Sequence, residues 1–186
     1  MMRLFLACPL PPQAEKELDK VVHTLKERDG AVRWVATRNI HLTLRFLGDT
    51  DERLVGDISR KIDIIAGQFQ VVETAISKLG AFPNPRRPRI IWAGLERGTE
   101  VLSQVAAATE LAVQDLGFEA ESKGFKPHLT LGRIRDRGNP SQLMNFMDGF
   151  QLAPIAVRFD RIVLFKSTLT PTGPIYERLH EAPFSV

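Results

Sequence analysis

The chain is short of cysteine, of net charge and of long apolar runs, and each shortage narrows what it does. Its one cysteine, Cys8, excludes an internal disulfide and any zinc site built on paired cysteines, and it fits a reducing compartment. Cys8 itself reads as a small hydrophobe in a strand. Nothing approaches the roughly 18 consecutive apolar residues of a membrane span. The run from Leu4 to Cys8 has the look of a lipoprotein leader but is too short for the apolar part of a signal peptide. A cytoplasmic protein is expected, with no membrane association and no obligate protein partner. The balance of 25 Lys+Arg against 22 Asp+Glu leaves +3, too little for whole-surface attraction to a polyanion. Any attraction for phosphate must then be local. Arg86, Arg87 and Arg89 form one cluster and Arg133, Arg135 and Arg137 another, each readable as a solvated turn or as a phosphate-facing rim.

Motifs for the commoner hydrolytic chemistries are also missing. There is no His-Glu-x-x-His helix, no acidic loop of EF-hand spacing and no Gly-x-Ser-x-Gly elbow. No metal and no cofactor are expected.

What is present is an ordinary globular composition whose periodicity alternates between two kinds of element. The apolar run of residues 3–8, closed by Pro9, Pro11 and Pro12, reads as a buried strand. Leu18, Val21, Val22 and Leu25 mark a helix over 12–28; Leu54, Ile58, Ile62 and Ile65 mark another over 51–66. Strands are expected at 32–35, 40–47, 69–79, 89–95, 127–134 and 155–165, with an extended piece near 175–179. Helices are expected at 99–116 and 140–149. The connections at 36–39 and 80–88 are too short for helical crossovers, so the pattern predicts an α+β fold rather than a doubly wound parallel sheet.

Two of the four histidines open the same tetrapeptide, His41-Leu42-Thr43-Leu44 and His128-Leu129-Thr130-Leu131, 87 residues apart. One copy in each half suggests two related lobes facing each other within a single domain over 1–186. Strand parity puts His41 and Thr43 on one face, leucines on the other, and likewise His128 and Thr130. A single His-x-Thr is adequately explained as the polar face of a sheet; a matched pair is better explained by chemistry. Histidine titrates near neutrality, so one ring can act as base while another acts as acid. In-line displacement at phosphorus needs both, on opposite sides. The threonine hydroxyls are placed to hold non-bridging oxygens. His23 and His180 have no partner motif and read as surface or packing residues.

With the flanking Asn39-Ile40, Phe46-Leu47-Gly48, Phe125-Lys126-Pro127 and Arg133, these motifs resemble the two-histidine (2H) phosphoesterase superfamily. The closer resemblance is to its RNA 2′,3′-cyclic phosphodiesterases, historically named 2′-5′ RNA ligases. Arg3-Leu4-Phe5, Arg89-Ile90-Ile91-Trp92 and the segment from Ser167 to Tyr176 also follow the family pattern. The resemblance implies a bilobal α+β fold of two pseudo-symmetric, mainly antiparallel lobes with outer helices and a central cleft. It implies His41 as proton donor and His128 as acceptor, and substrate contacts from Thr43, Thr130, Arg133 and Ser167. The substrate it implies is an RNA end or nucleotide bearing a 2′,3′-cyclic phosphate. Simple parity aims Arg45 into the cleft and Arg133 away from it, unless the backbone turns at Gly132. Phe125, Phe82 and Trp92 can stack a base, with core packing as the default for each. Two other functions compete: a cyclic phosphodiesterase of small nucleotides, and a non-catalytic module that binds RNA ends.

Overall fold

A computed structural model describes residues 1–28 and 31–185. The strands are β1 (Met2–Pro9), β2 (Val32–Trp34), β3 (His41–Thr50), β4 (Val72–Phe82), β5 (Ile90–Leu95), β6 (His128–Ile134), β7 (Ile155–Phe159), β8 (Arg161–Thr170) and β9 (Gly173–Pro183). The helices are α1 (Pro12–Lys26), α2 (Val55–Ala66), α3 (Thr99–Gln114) and α4 (Ser141–Gly149). None is long and apolar enough to cross a membrane.

The named strands form one sheet in the order β7-β4-β5-β6-β3-β1-β8-β9, with β2 on β6, and their pairings are antiparallel. The expected α+β architecture is therefore found. Its two halves, β7-β4-β5-β6 and β3-β1-β8-β9, meet where Leu42 pairs with Leu129. Those leucines are the same residue of the two repeated motifs, so the seam of the sheet lies on the pseudo-two-fold relation of the sequence.

The apolar run at 155–165 proves to be two strands. Its parity breaks after Phe159, and Asp160 alone separates β7, which pairs with β4, from β8, which pairs with β1. Neighbours in sequence thus lie in opposite halves of the sheet order, which only a strongly curled sheet allows. Phe184 N–H donates to Asp160 O and Ser185 N–H to Phe69 O, tying the end of the chain across this junction.

The helices cover one face of the curl. Leu18, Val22 and Leu25 of α1, Ile58 and Ile62 of α2, and Leu102 and Val105 of α3 pack with Leu4, Leu6, Leu42, Leu44, Leu129 and Leu131 in one core. Phe5, Ala7, Val163 and Phe165 form a second, small cluster on the other face. The strand β1 is covered on both faces, which explains why its sequence shows no alternation. Cys8 lies fully buried in it, and burial holds its thiol well above the usual range.

Candidate active site

Motif leucines packed against the helices leave His41, Thr43, His128 and Thr130 on the uncovered face. Because β3 and β6 are antiparallel through Leu42 and Leu129, each histidine stands beside the other motif's threonine. The two histidines are diagonal neighbours across this pairing, near enough for a charge on His128 to act on His41. Among the described residues neither threonine hydroxyl has a hydrogen-bond partner.

Both rings are held in the same way. His41 Nδ1 lies 2.7 Å from Asn39 O, and His128 Nδ1 lies 2.6 Å from Lys126 O. A carbonyl only accepts, so each Nδ1 carries the proton and each Nε2 is left for chemistry. Their packing differs. His41 stacks on Phe5 at 4.8 Å and meets Tyr176 edge-on at 5.5 Å. His128 meets Phe82 edge-on at 5.0 Å, and Phe82 in turn packs on Trp92. Burial among the rings pushes the His41 imidazole down to about 4; the Asn39 carbonyl opposes this and a charge on His128 adds to it. In the free protein His41 is thus neutral at pH 7.

A pair of bulges settles the arginines. Leu6 pairs with Arg45 and Ala7 with Thr43, leaving Leu44 as the extra residue; Ile91 pairs with Gly132 and Trp92 with Thr130, leaving Leu131 as the extra one. Each bulge reverses parity beyond it. Arg133 therefore rejoins the histidine face, where its charge and that of Arg3 act on Tyr176. Arg45 goes to the helix side, which corrects the expectation that it points into the cleft. There its Nε lies 2.6 Å from Glu110 Oε2 and its Nη1 3.2 Å from Glu121 Oε2, and it donates to Glu119 O. Burial disfavours the Glu110 charge, but Glu121 N–H, Gln114 and Arg45 together hold its carboxyl below the usual range.

Ser167 pairs in register with Tyr176 and shares a strand face with Phe165, beside His41. Phe125 is partly buried against the main core, the packing expected of it by default. Phe82 and Trp92, expected in the core, instead line a cavity of about 620 Å³ with His128, Lys78 and Lys126. Phe5, Phe165, Tyr176 and Arg3 are the site-face residues that sequence reasoning missed. The first two sit in unbroken apolar runs, where parity has nothing to reveal, although the family pattern did include Arg3, Phe5 and Tyr176. His180 binds Asp63 at 2.7 Å and His23 lies 3.7 Å from Glu27, both away from the site. Among the described residues no group of three or more His, Cys, Asp or Glu is placed to hold a metal ion.

Comparison with known proteins identifies the family. The family described as LigT like phosphoesterase matches the chain twice, over residues 9–92 and 95–176, one match for each motif. A Thermotoga maritima protein named RNA 2′,3′-cyclic phosphodiesterase is 32% identical over 98% of this chain and 96% of its own. One of the same name from Archaeoglobus fulgidus is 35% identical over 96% and 98%. A crystal structure of a Thermus thermophilus protein superposes with a TM-score of 0.80 at 24% identity, covering 98% of both chains. The chain belongs to the LigT-like family of two-histidine phosphoesterases.

Proposed function

We propose that the protein is an RNA 2′,3′-cyclic phosphodiesterase that opens a terminal cyclic phosphate to a 2′-phosphomonoester. The observation that carries this reading is the crosswise pair of histidines, each with Nδ1 committed to a backbone carbonyl, over two threonine hydroxyls; among the described residues neither Nε2 nor either hydroxyl has a hydrogen-bond partner. The name borne by the Thermotoga and Archaeoglobus relatives supports the substrate.

In this mechanism His128 Nε2 takes a proton from water as its oxygen attacks phosphorus. The bond to the 3′ oxygen breaks, and His41 delivers a proton to that oxygen. Thr43, Thr130 and Arg133 hold the non-bridging oxygens, with Ser167 and Tyr176 at the margin of the site. The depressed His41 at first runs against a donor role. A phosphate monoanion about 4 Å away, at an effective dielectric constant near 20, favours the protonated ring by about 4 kcal/mol. At about 1.4 kcal/mol for each tenfold change in the protonation equilibrium, that favours protonation by about a thousandfold, enough for the ring to carry its proton near pH 7 as substrate binds. Substrate thereby loads its own acid. Ligation to a 2′-5′ linkage uses the same groups in the same roles, with a 5′ hydroxyl attacking in place of water, and is expected to be minor because water is abundant. Phe82 and Trp92 supply a stacking surface for the terminal base beside His128.

The test is end-group analysis of an oligonucleotide ending in a 2′,3′-cyclic phosphate, with and without chelator. Metal-independent conversion to a 2′-phosphate is expected, and replacement of His41 or His128 by Ala should lower kcat/KM by about 10²–10⁴-fold with the fold retained. Recovery of intact cyclic phosphate, or of a 3′-phosphate, would overturn the reading.

A further inference from the structure

Five of the six clustered arginines that the sequence left as turns or rim converge on one groove. Arg86, Arg87 and Arg89 from the β4–β5 connection and Arg133 and Arg135 from the end of β6 line a depression of about 1010 Å³. Backbone bonds fix the convergence. Asn84 Oδ1 accepts from the N–H groups of Arg86 and Arg87, Arg89 N–H donates to Phe82 O, and Ile134 N–H donates to Arg89 O. Arg135 N–H is bound by Ala31 O. Among the described residues none of the five guanidinium groups is ion-paired. Asp136 is the one carboxylate among the described lining residues.

We infer that this groove is the track for the RNA backbone leading away from the reacting end. A cyclic phosphate terminates the chain, so the rest of the RNA leaves the site in one direction. The groove begins at Arg133, which also faces the histidine site, and lies five residues along β6 from His128, about 17 Å by strand rise. Four further arginines in a fixed cradle suit successive backbone phosphates, which they bind regardless of base. The weak net charge of the whole chain is thereby concentrated where an extended polyanion passes. The inference rests on the RNA reading above.

The test compares wild type with the triple variant R86A/R87A/R135A, which leaves Arg133 and both motifs intact. Substrates are a cyclic-phosphate-ended oligonucleotide and a nucleoside 2′,3′-cyclic monophosphate. The expected result is a KM for the oligonucleotide raised about tenfold or more, with its log–log salt slope smaller by about 2 for three lost contacts on a single strand. Mononucleotide kinetics should be unchanged, and R86K/R87K/R135K should restore most of the oligonucleotide KM. An unchanged oligonucleotide KM, or an equal loss on both substrates, would overturn the track. Fluorescence anisotropy of a labelled single-stranded RNA separates this from the catalytic reading. If wild type binds without turnover and the triple variant does not bind, the groove stands and the phosphodiesterase falls; if wild type does not bind, the groove falls.

Discussion

Leu44 and Leu131 are the same residue of the two repeats, and each is the unpaired residue of a β-bulge against the strand on its outer side. The bulges send Phe46 and Arg133 to the site face, and Arg45 and Gly132 to the other. The positions after the bulge have diverged: one carries an arginine tied to α3, the other a glycine packed against β2.

That glycine is required by space. A Cβ on Gly132 would lie 2.5 Å from Val32 Cγ1 and 3.2 Å from Arg33 O, and a valine side chain has little freedom to yield. Gly132→Ala is expected to destabilise by about 1–3 kcal/mol in denaturant titration. It should also lower kcat/KM, because β2 or Arg133 must shift. Stability within about 0.5 kcal/mol of wild type would show that the bulge absorbs the methyl group.

The bulges also mark the limit of what the sequence could say. Periodicity located the four helices, and parity within His-x-Thr-x predicted which side chains share a face, because those residues precede the bulge. A bulge depends on how many residues the partner strand sets opposite, a property of two segments at once. Parity therefore misplaced Arg45, and for Arg133 only Gly132 hinted at the turn. Phe5 and Phe165 were illegible for a different reason: strands covered on both faces lose their alternation. Phe82 and Trp92 face a cavity that forms only when the β4–β5 hairpin meets the segment before β6.

Arg45 and Arg133 make opposite predictions. Arg45 joins β3 to Glu110 of α3 and to the segment carrying Glu119 and Glu121, and its side chain is only 10% exposed. Arg45→Ala leaves Glu110 without its cation and is expected to cost about 1–3 kcal/mol, while kcat/KM changes less than tenfold. Arg133→Ala should leave stability nearly unchanged and lower kcat/KM about 10²-fold, the scale of losing one charge-stabilising donor. Thermal denaturation and steady-state kinetics on both variants decide this, and a reversed pattern would return Arg45 to the site.

The His41 ring provides a pH test with a definite sign. Its folded value of about 4 lies below the ordinary 6.5, so between those limits the unfolded chain binds a proton that the native ring does not. Stability attributable to His41 is full above pH 6.5 and is lost as pH falls toward 4. Imidazole NMR titration should show the low value in free protein and a rise of about three units at saturating inorganic phosphate. A His41 that stays below pH 5 with phosphate bound would assign the donor role to His128 instead.

The cavity beside His128 predicts a division between binding and chemistry. Phe82 and Trp92 pack at 5.2 Å between ring centres, and Trp92 lies over Gly80, where a Cβ would come within 2.3 Å of its Cζ2. Stacking a base on an aromatic ring is worth about 1–3 kcal/mol and does not depend on which base it is. Trp92→Leu should therefore raise KM about tenfold for purine and pyrimidine ends alike and leave kcat nearly intact, since neither Nε2 is touched. Gly80→Ala should act in the same direction by displacing the indole, without deleting any side chain. A fall in kcat with unchanged KM in either variant would mean that these rings serve to position His128 rather than to receive the base, because Phe82 stands between Trp92 and the imidazole.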